Sequence, residues 1–534
     1  MPRTQVLIIG AGPVGLVSAL LLSQHGISSI VIDSKSAFSD HPRARFFDSI
    51  TLELFRQLGF AREVEAIGLD SPWTESVTVA ETFAGTQIAK IPGGEFYSVP
   101  RPISSQIPVM SSQDLLEPIL YAHAMRCADT RVWLSHECLD LVQDGDRCRA
   151  RVKKVDTGEE IEICSDYVIG ADGARSTVRR AIGARLDGEV RDTFYRDVLF
   201  HADMRRWVDD LDQRGAVLFV SHDKGAGMFV PLDGRQRWRI QIAGIDPNRD
   251  ITDEEVREWI WSGVGAGERF PIDVDSKLIW RVSGRVADRY RVGRVMLVGD
   301  AAHVFSPTGG MGLNAGFAGC HNLMWKLAYV IKGVAPDWIL DTYGQEWRLQ
   351  AQRRTKQALE NHDFMGALFM AHFGRGNVAR AYEDVLQYTN YAGLIFGYEH
   401  ASALCLPDSC ASPAAETNQT YVPVVRSGRR APHFWVDEAN NQALSDWFGS
   451  EYVVLTGPGA DAPAWREAVG ALSNRGFPIR IEQLTGVAGS VYADEAVVVV
   501  RPDCIVAAQV RNGEVVNAGE LLQNILPLTA RSRG

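Results

Sequence analysis

The chain has 534 residues and a mass of 58.9 kDa, which is too long for one ordinary domain and predicts three to four domain-sized units. Its 46% hydrophobic and 23% charged residues are typical of a globular protein, which argues against wholesale disorder and against a fibrous architecture. A formal net charge of −11 argues against a general attraction to nucleic acid or to anionic membranes, so we expect small molecules as partners.

The eight cysteines are scattered along the chain, contain no C-x-x-C pair and match neither a zinc site nor a disulfide framework. The sequence therefore predicts a reduced, cytoplasmic setting and no metal site. Near the amino terminus, the apolar run at residues 6–10 is too short for a signal-peptide core or a membrane span. We interpret this run as part of a buried strand.

The first elements form a β-α-β pattern. Residues 5–9 are a short apolar run rich in β-formers, residues 10–15 are a glycine turn, and residues 14–25 carry apolar side chains at helical spacing. Gly26 ends this helix, and residues 28–33 make a second apolar strand. Such a unit requires a parallel sheet with a right-handed crossover, so the fold begins as a dinucleotide-binding domain.

The middle of the chain has a different pattern. Residues 197–204 alternate apolar and polar side chains, and residues 228–232 lead through Asp233-Gly234 to a second alternating run at residues 238–242. This pattern predicts an antiparallel sheet with a hairpin, buried on one face. Because the sheet lies between two glycine-rich segments of nucleotide-binding type, we expect a substrate domain inserted into the cofactor domain.

The C-terminal third predicts a separate α/β domain. Residues 339–386 are charged and helical, and residues 406–420 have the composition of a linker. Beyond the linker, the expected elements are strands at 452–455, 479–483, 496–501 and 505–510 and a helix at 462–473.

The glycine turn at residues 10–15 matches G-x-G-x-x-G and has the context that this motif needs, after a strand and at the start of a helix. Gly12 lets the backbone approach a pyrophosphate, whose charge is met by the helix N-terminus, and Gly15 lets helix and strand pack closely. Asp33, about twenty residues further on, can accept a hydrogen bond from a ribose hydroxyl. The alternative is a tight turn in another α/β protein, and the motif alone does not distinguish FAD from NAD.

Two further segments favour FAD. Residues 167–179 run from a strand into an Asp-Gly turn and a basic helix start, and residues 295–303 form an apolar strand that ends in Asp300. An acid at the carboxyl edge of a strand can hydrogen-bond a ribityl hydroxyl. Residues 307–314 supply a glycine-rich backbone before a helix expected from about Ala315, whose positive end would face the flavin pyrimidine.

With Arg43 in Pro-Arg-Ala and Gln113 at the start of residues 112–117, these segments resemble the class A flavoprotein aromatic hydroxylases, which have the para-hydroxybenzoate hydroxylase fold. The resemblance spans about residues 4–350. It implies that Pro307 lies near the reactive flavin carbon and that the backbone N–H groups of Leu313 and Asn314 bind the flavin. The full set of cofactor-binding residues that it implies is Gly10, Gly12, Pro13, Val14, Gly15, Asp33, Arg43, Gln113, Asp172, Gly173, Asp300, Pro307, Gly310, Gly312, Leu313 and Asn314.

Some positions keep a second interpretation. The family associates the Asp172-Gly173 pair with both FAD and the pyridine nucleotide, but an Asp-Gly turn can also cap a helix. We interpret His303 as a structural histidine rather than a proton shuttle. The sequence departs from the family pattern in the flavin-facing helix, at Ala318, Gly319 and Cys320.

Residues 428–433, 446–449 and 501–503 are similar to the C-terminal thioredoxin-like extension of phenol and polyketide hydroxylases. The extension lacks the C-x-x-C that disulfide exchange requires. We interpret it as a structural or oligomer-forming unit, and a homodimer is one expected assembly.

The overall expectation is an α/β protein with three domains. A Rossmann-type FAD-binding domain is discontinuous, formed by residues 1–75, 108–188 and 284–400. An antiparallel substrate-binding domain is inserted into it as residues 76–107 and 189–283. A thioredoxin-like α/β domain without C-x-x-C follows as residues 401–534.

The resemblance implies a single-component flavin monooxygenase. NADPH or NADH reduces the FAD as a transient co-substrate, since only one dinucleotide fingerprint is present. O2 then forms the C4a-hydroperoxide, which hydroxylates an aromatic substrate of phenolic or polyketide type. Two alternatives stay open: Baeyer–Villiger oxygenation of a polyketide ketone by the same flavin intermediate, and a non-catalytic flavin-binding protein.

The substrate pocket is expected between the inserted sheet and the flavin, lined by residues 217–221, 228–232 and 238–242. Aromatic side chains there can stack on a flat substrate, although core packing between layers explains them equally well. No residue is assigned as catalytic. The substrate-side candidates are Phe47, His201 and Phe229.

Overall fold

A computed structural model describes residues 1–38, 41–70, 73–93, 103–210, 215–407, 416–437, 439, 441–487 and 489–528. Its helices are α1 (Pro13–Gln24), α2 (Ser49–Gln57), α3 (Ala61–Glu65), α4 (Gln113–Arg126), α5 (Thr177–Ala181), α6 (Arg205–Asp210), α7 (Asp253–Val264), α8 (Met311–Ile331), α9 (Asp341–Met370), α10 (Val378–Thr389), α11 (Ala392–Phe396), α12 (Ala462–Ser473) and α13 (Ala518–Ile525).

The strands of the amino-terminal half are β1 (Arg3–Ile9), β2 (Ser29–Ile32), β3 (Phe46–Phe47), β4 (Ser76–Ala80), β5 (Gln87–Pro92), β6 (Val109–Met110), β7 (Thr130–Trp133), β8 (His136–Asp144), β9 (Arg147–Lys154), β10 (Glu160–Gly170) and β11 (Leu186–His201). Those that follow are β12 (Val217–His222), β13 (Gly225–Pro231), β14 (Arg237–Ala243), β15 (Asp273–Ala287), β16 (Arg291–Val292), β17 (Val295–Leu297), β18 (His303–Val304), β19 (Tyr452–Thr456), β20 (Ile479–Gln483), β21 (Glu495–Val500) and β22 (Val506–Arg511).

The first sheet has the strand order β16-β17-β10-β1-β2-β7, and the β8–β9 hairpin extends from β10. The strands β17, β10, β1, β2 and β7 run parallel. Parallel strands are covered on both faces, which is why Val6, Leu7 and Ile8 of β1 have no exposed surface. The carboxyl ends of β1, β2, β10 and β17 therefore meet at one edge of the sheet, where ligands of open α/β sheets bind.

The second sheet has the order β18-β15-β11-β14-β13-β12-β4-β5 and is antiparallel except for the β12–β4 pair. One face packs on α7, with Phe229 and Trp238 buried beside Trp259. The other face, which carries Phe219, packs against α9 and α10. The expected β13–β14 hairpin is present, and its turn is wider than the Asp-Gly pair because the Asp233 carboxylate accepts N–H groups from residues 235–237.

Two long strands cross the expected domain boundaries. The pairing of β11 with β15 runs from Leu186 opposite Ala287 to His201 opposite Asp273. The boundaries at 188/189 and 283/284 therefore fall inside continuous strands. Alternation in the sequence marks only the buried half of β11, because its residues 187–190 are exposed and carry no apolar periodicity.

The C-terminal sheet has the order β20-β19-β21-β22, with β19 and β20 parallel and the other pairs antiparallel. Its core joins that of the amino-terminal part of the chain, since Trp325 and Tyr329 of α8 pack against Tyr452 of β19. The helix expected at 339–386 is divided into α9 and α10 by a π turn, Ala371–Arg375. Most of the linker expected at 406–420 lies outside the described residues.

Within the described ranges, no helix combines the length and apolar character needed to cross a membrane. In the same part of the chain, no group of three or more histidine, cysteine or acidic side chains is arranged to hold a metal ion.

Candidate functional site

The glycine turn after β1 is built from three positions with different constraints. Gly10 has φ +112°, and a side chain there would overlap the carbonyl oxygen of Ala171 at the end of β10. A side chain at Gly15 would overlap the carbonyl oxygen of Gly10. A methyl group at Gly12, in contrast, would meet no atom within 4 Å. The turn is closed towards the sheet at Gly10 and Gly15 and open at Gly12, where a ligand can approach the backbone.

Helix α1 begins directly at this opening, with Gly12 as its N-cap and Pro13 in its first turn. Gly12 supplies no capping side chain, so the first backbone N–H groups and the positive end of the helix dipole are available to an anion. Asp33, expected to bind a ribose, accepts the backbone N–H groups of Ala11 at 2.8 Å and of Lys35 at 3.0 Å. Its carboxylate thus also holds the turn against the loop after β2.

Val14 joins the two glycine-rich segments of the sequence. Added methyl groups at Gly316 of α8 and at Gly299 would lie 2.7 Å and 3.1 Å from the methyl carbons of Val14. The Sγ of Cys320 on α8 lies 3.2 Å from Ser18 Oγ on α1. The start of α1, the turn after β17 and the amino-terminal half of α8 therefore converge on one place.

Helix α8 begins at Met311, four residues before the expected start at about Ala315. Its N-cap is Gly310 with φ +65°, preceded by Gly309 with φ +96°. The expectation was wrong because glycines lower helix propensity, whereas the first turn of a helix tolerates them. The N–H groups of Met311, Gly312 and Leu313 have no acceptor within the helix and point out of its positive end.

The side chain of Asn314 connects several elements by hydrogen bonds, a role that the sequence did not reveal. It is buried, and its Oδ1 accepts the backbone N–H of Asp48 at 3.0 Å and the hydroxyl of Thr51 at 2.8 Å. Its Nδ2 donates to the carbonyl oxygens of Phe46 at 3.0 Å and Gly310 at 2.9 Å. The amide therefore binds the start of α8 to β3 and to the start of α2.

The loop before α8, residues 307–310, is also held by hydrogen bonds that do not involve Asn314. The Thr308 hydroxyl donates to the carbonyl oxygen of Ala358 on α9, and the Tyr391 hydroxyl donates to the carbonyl oxygen of Gly309. Gly310 N–H donates to the carbonyl oxygen of Pro307 at 3.1 Å. These bonds give the backbone from Pro307 to Gly310 one defined conformation.

Asp300 and Arg43 lie near each other at the carboxyl edge of the first sheet. Both residues are exposed at this edge, although protein packed around the Asp300 carboxyl desolvates it in part. This surrounding protein raises the pKa of the Asp300 carboxyl, and the charge of Arg43 lowers it in part. This edge of the sheet, called the groove below, thus holds an accessible carboxylate and a guanidinium, and Gly299 beside Asp300 lies against Val14 of α1.

The backbone that carries Arg43 is fixed from two directions. Gln113 at the start of α4 accepts the N–H of Ala44 through Oε1 at 3.3 Å, and its own N–H donates to the carbonyl oxygen of Ala44 at 2.9 Å. From the second sheet, Arg239 donates to the carbonyl oxygen of Arg43 at 3.1 Å while it pairs with Asp197 at 3.0 Å. The two sheets are thereby connected at the segment that carries Arg43.

Asp172 caps a helix, which was the alternative interpretation of the Asp-Gly turn. Its carboxylate accepts the Ser176 hydroxyl at 2.5 Å and the backbone N–H groups of Thr177 at 2.6 Å and Val178 at 3.1 Å. Gly173 beside it has φ +76°. Arg179, which the sequence analysis did not single out, donates to the carbonyl oxygen of Ala301 at 3.0 Å and so connects this turn to the one after β17.

The three substrate-side candidates do not come together. Phe47 is fully buried in the core of the first sheet, and Phe229 is fully buried against Trp259 under α7. His201, at the end of β11, lines an open depression of about 540 Å³ beside α7. Phe229 is therefore a core residue on the face turned away from α9, because period-2 alternation does not tell which face of a sheet meets the cofactor domain.

The neighbouring Phe46 is better placed than Phe47. An added methyl group at Gly310 would lie 3.1 Å from the Cβ of Phe46, and Phe46 belongs to an apolar cluster with Met311. Successive residues of a strand point to opposite faces, which is why Phe46 meets the start of α8 and Phe47 does not.

His303 is fully buried and stacks on Tyr290, with ring centroids 6.2 Å apart. Burial lowers the pKa of its imidazole from 6.5 to about 3, and the charge of Arg354 acts in the same direction. The ring is neutral at physiological pH, in keeping with a structural role.

Comparison with known proteins identifies the family. Residues 3–358 match the model of an FAD binding domain, and residues 425–526 match the C-terminal domain of aromatic-ring hydroxylases. The chain belongs to the FAD-dependent aromatic-ring hydroxylases. The first match alone covers more than half of the chain, and the expected α/β class is confirmed.

Two relatives that match over nearly their whole length are named as oxygenases of particular compounds. Aklavinone 12-hydroxylase RdmE of Streptomyces purpurascens is 31% identical over 98% of both chains. Tetracenomycin A2 monooxygenase-dioxygenase of Streptomyces glaucescens is 30% identical over 99% of this chain and 97% of its own.

Solved structures agree with the sequence matches. The flavin-dependent monooxygenase PieE, in complex with FAD and substrate, superposes with a TM-score of 0.88 at 28% identity, over 98% of this chain and 99% of its own. Aklavinone-11 hydroxylase with FAD and aklavinone superposes with a TM-score of 0.85 at 28% identity, over 98% of both chains. The hydroxylase described here is thus an FAD-dependent monooxygenase, as the sequence predicted.

Proposed function

We propose that this hydroxylase uses NADPH or NADH and O2 to hydroxylate a flat aromatic substrate of phenolic or polyketide type. The observation that carries the proposal is the convergence at Val14 of the open glycine turn, the turn that carries Asp300 and the start of α8. One long cofactor can lie along these three elements. The expected division into an FAD-binding unit and an inserted substrate-binding unit is part of the proposal.

The residues of the groove fit FAD. We infer that the diphosphate lies at Gly12 and the start of α1, near Arg43, because that face is open and carries free N–H groups and positive charge. Asp300 would accept hydrogen bonds from the ribityl chain, and the N–H groups of Gly312 and Leu313 in the first turn of α8 would donate to the flavin. The supporting positions are Gly10, Pro13, Val14, Gly15, Asp33, Gln113, Asp172, Gly173, Pro307, Gly310 and Asn314.

FAD, when bound, supplies hydride acceptance from the nicotinamide and the activation of O2, which is cofactor chemistry rather than side-chain chemistry. The protein contributes charge placement, because the positive end of α8 stabilises negative charge at the adjacent ring system. The hydrogen bonds at Thr308, Gly309 and Asn314 hold that end of α8 in position, so the helix does not have to reorganise during the reaction.

A polycyclic substrate class is supported by the apolar surroundings of the α8 start. The cluster there contains Phe46, Ile50, Met110, Ala216, Met311 and Tyr391. Flat aromatic rings gain from contact with such side chains. The named substrates of the full-length relatives have the same character.

The test is oxidation of NADPH and of NADH by the purified yellow protein in the presence of phenols and polycyclic aromatic ketides. We expect a stimulated rate and a product that is heavier by one oxygen atom with its ring system intact. A product with an inserted ring oxygen would instead support Baeyer–Villiger chemistry. FAD that no reductant bleaches would support the non-catalytic alternative.

A further inference from the structure

The C-terminal unit, defined as residues 425–526, sends two buried arginines into the helices of the FAD side. Arg430 pairs with Glu53 of α2, and Arg501 pairs with Glu346 of α9 at 2.6 Å. All four side chains are buried. Neither pair belongs to a surface that water reaches, so each connects the unit to its neighbour through a desolvated contact.

The Arg430 contact leads to the start of α8. Glu53 also accepts the Ser104 hydroxyl at 2.6 Å, so each oxygen of its carboxylate has a partner. Two residues earlier on the same helix, the Thr51 hydroxyl donates to Oδ1 of Asn314 at 2.8 Å. A shift of α2 at Glu53 would therefore move Thr51, whose hydrogen bond to Asn314 holds the first turn of α8.

The Arg501 contact leads to the middle of α8. Glu346 accepts Lys326 Nζ at 2.7 Å and Asn322 Nδ2 at 2.7 Å, and both donors belong to α8. Asp503 accepts Asn322 Nδ2 at 3.1 Å and pairs with Arg501 at 2.6 Å. The positive charges of Lys326 and Arg501 balance the negative charges of Glu346 and Asp503. Burial alone would raise the pKa of Glu346, but the charge of Arg501 holds it well below its usual range.

A third contact of the same unit offers a matched comparison. Arg56 of α2 pairs with Asp446 at 2.7 Å, but its side chain is 30% exposed and that of Asp446 is 22% exposed. Arg56 lies one turn beyond Glu53 on the same helix. Water still reaches this pair, so loss of Arg56 leaves a hydrated carboxylate, whereas loss of one partner of a fully buried pair leaves an uncompensated charge.

We propose that the C-terminal unit positions the cofactor-facing turn of α8, through Arg430 and Glu53 at the α2 contact and through Arg501 and Glu346 at the α9 contact. Arg430 is a positioning residue, since it acts through Glu53, α2 and Asn314. The unit then takes part in the flavin site through its contacts with α2 and α9. The inference rests on the proposed placement of FAD at α8.

The test compares Arg430→Gln with Arg56→Gln in the full chain, by the dissociation constant of FAD and the absorption spectrum and reduction potential of the bound flavin. We expect about tenfold weaker FAD binding and a shifted spectrum and potential for Arg430→Gln, which corresponds to typical coupling between neighbouring elements. Arg56→Gln should leave all three unchanged. Arg430→Lys keeps the charge and should restore most of the binding.

The double variant Glu53→Gln/Arg430→Gln removes both buried charges and covers the case in which the single variant does not fold. It should fold and still show the altered flavin spectrum, because neutral side chains hold α2 less firmly. If folded Arg430 variants lose thermal stability but keep the FAD affinity, spectrum and potential of the unmodified protein, the inference is wrong.

A separate variant distinguishes this failure from failure of the proposed function. Asn314→Ala acts directly at the start of α8. If it leaves the bound flavin unaltered, the placement of FAD at α8 is wrong, and the role of the C-terminal unit is wrong with it. If Asn314→Ala alters the flavin and the Arg430 variants do not, only the further inference is overturned.

Discussion

Asn314 accepts the backbone N–H of Asp48 at 3.0 Å, although the two residues are 266 positions apart in the chain. Asp48 caps α2 by accepting Thr51 N–H at 2.8 Å, and Thr51 in turn donates its hydroxyl to Asn314. Two helix starts thus share one buried set of hydrogen bonds. Burial raises the pKa of Asp48, and the charge of Arg354 opposes this.

Replacement of the Asn314 amide should destabilise the protein. In Asn314→Ala, the Thr51 hydroxyl and the Phe46 carbonyl lose a buried partner, and each unsatisfied group costs about 1–3 kcal/mol. We expect the free energy of unfolding to fall by about 2–4 kcal/mol in urea titration. Asn474→Ala, exposed at the end of α12, is the control and should change it by less than about 0.5 kcal/mol.

A carboxylate at Gly12 should abolish FAD retention. Gly12 is open to the groove, so Gly12→Asp places negative charge beside the free N–H groups where we propose the diphosphate. Gly12→Ala separates charge from bulk: its methyl group meets no protein atom within 4 Å but faces the proposed diphosphate, so it should weaken FAD retention less than Gly12→Asp does. We expect a colourless Gly12→Asp protein by absorbance near the flavin bands, and a yellow one would show that the diphosphate lies elsewhere.

Acid should destabilise the protein before its carboxylates are protonated. Burial lowers the pKa of His303 from 6.5 to about 3, and those of His25, His321 and His400 to about 4. A depressed folded-state pKa gives stability that is complete above pH 6.5 and decreases as the pH falls towards the folded value.

One histidine isolates this effect. When the pH falls from about 7.5 to about 5, each buried neutral histidine should lower the free energy of unfolding of the protein by about 2 kcal/mol. His303→Asn removes one such group, so its loss of unfolding free energy over that interval should be smaller than that of the unmodified protein by about 2 kcal/mol. If the free energy of unfolding of the two proteins depends on pH in the same way, His303 is protonated at about pH 5 in the folded state as it is in the unfolded state.

Two phenylalanines should separate a substrate-side position from a core position. Phe229→Ala empties the core under α7 and should cost about 3–5 kcal/mol of stability with unchanged KM for the aromatic substrate. Phe46→Ala changes the apolar cluster at the start of α8. It should raise the KM for the aromatic substrate or uncouple NAD(P)H oxidation from product formation. Steady-state kinetics with product analysis checks both. A change in KM for Phe229→Ala alone would reverse the two roles.

Much of the first sheet could be predicted because its signals are local. The glycines at positions 10, 12 and 15 stand between a strand and a helix in one short segment, so the motif is recognisable without the contact between Gly10 and Ala171, which only the fold supplies. The Asp-Gly turn allowed two interpretations. Hydrogen bonds from Ser176, Thr177 and Val178 show that the Asp172 carboxylate holds a helix start, while its role towards FAD stays a prediction. The helix contact depends on the three-dimensional orientation of one carboxylate.

The sequence by itself determined the order of the elements, the α/β class and the FAD-binding character, since these depend on periodicity and on motifs within short segments. Only the tertiary structure decided that Asn314 acts through its side chain, that Phe46 rather than Phe47 meets α8, and that Arg430 contacts Glu53. Each of these depends on which faces of distant elements pack together. That packing is set by the burial of whole surfaces, and no local stretch of residues encodes it.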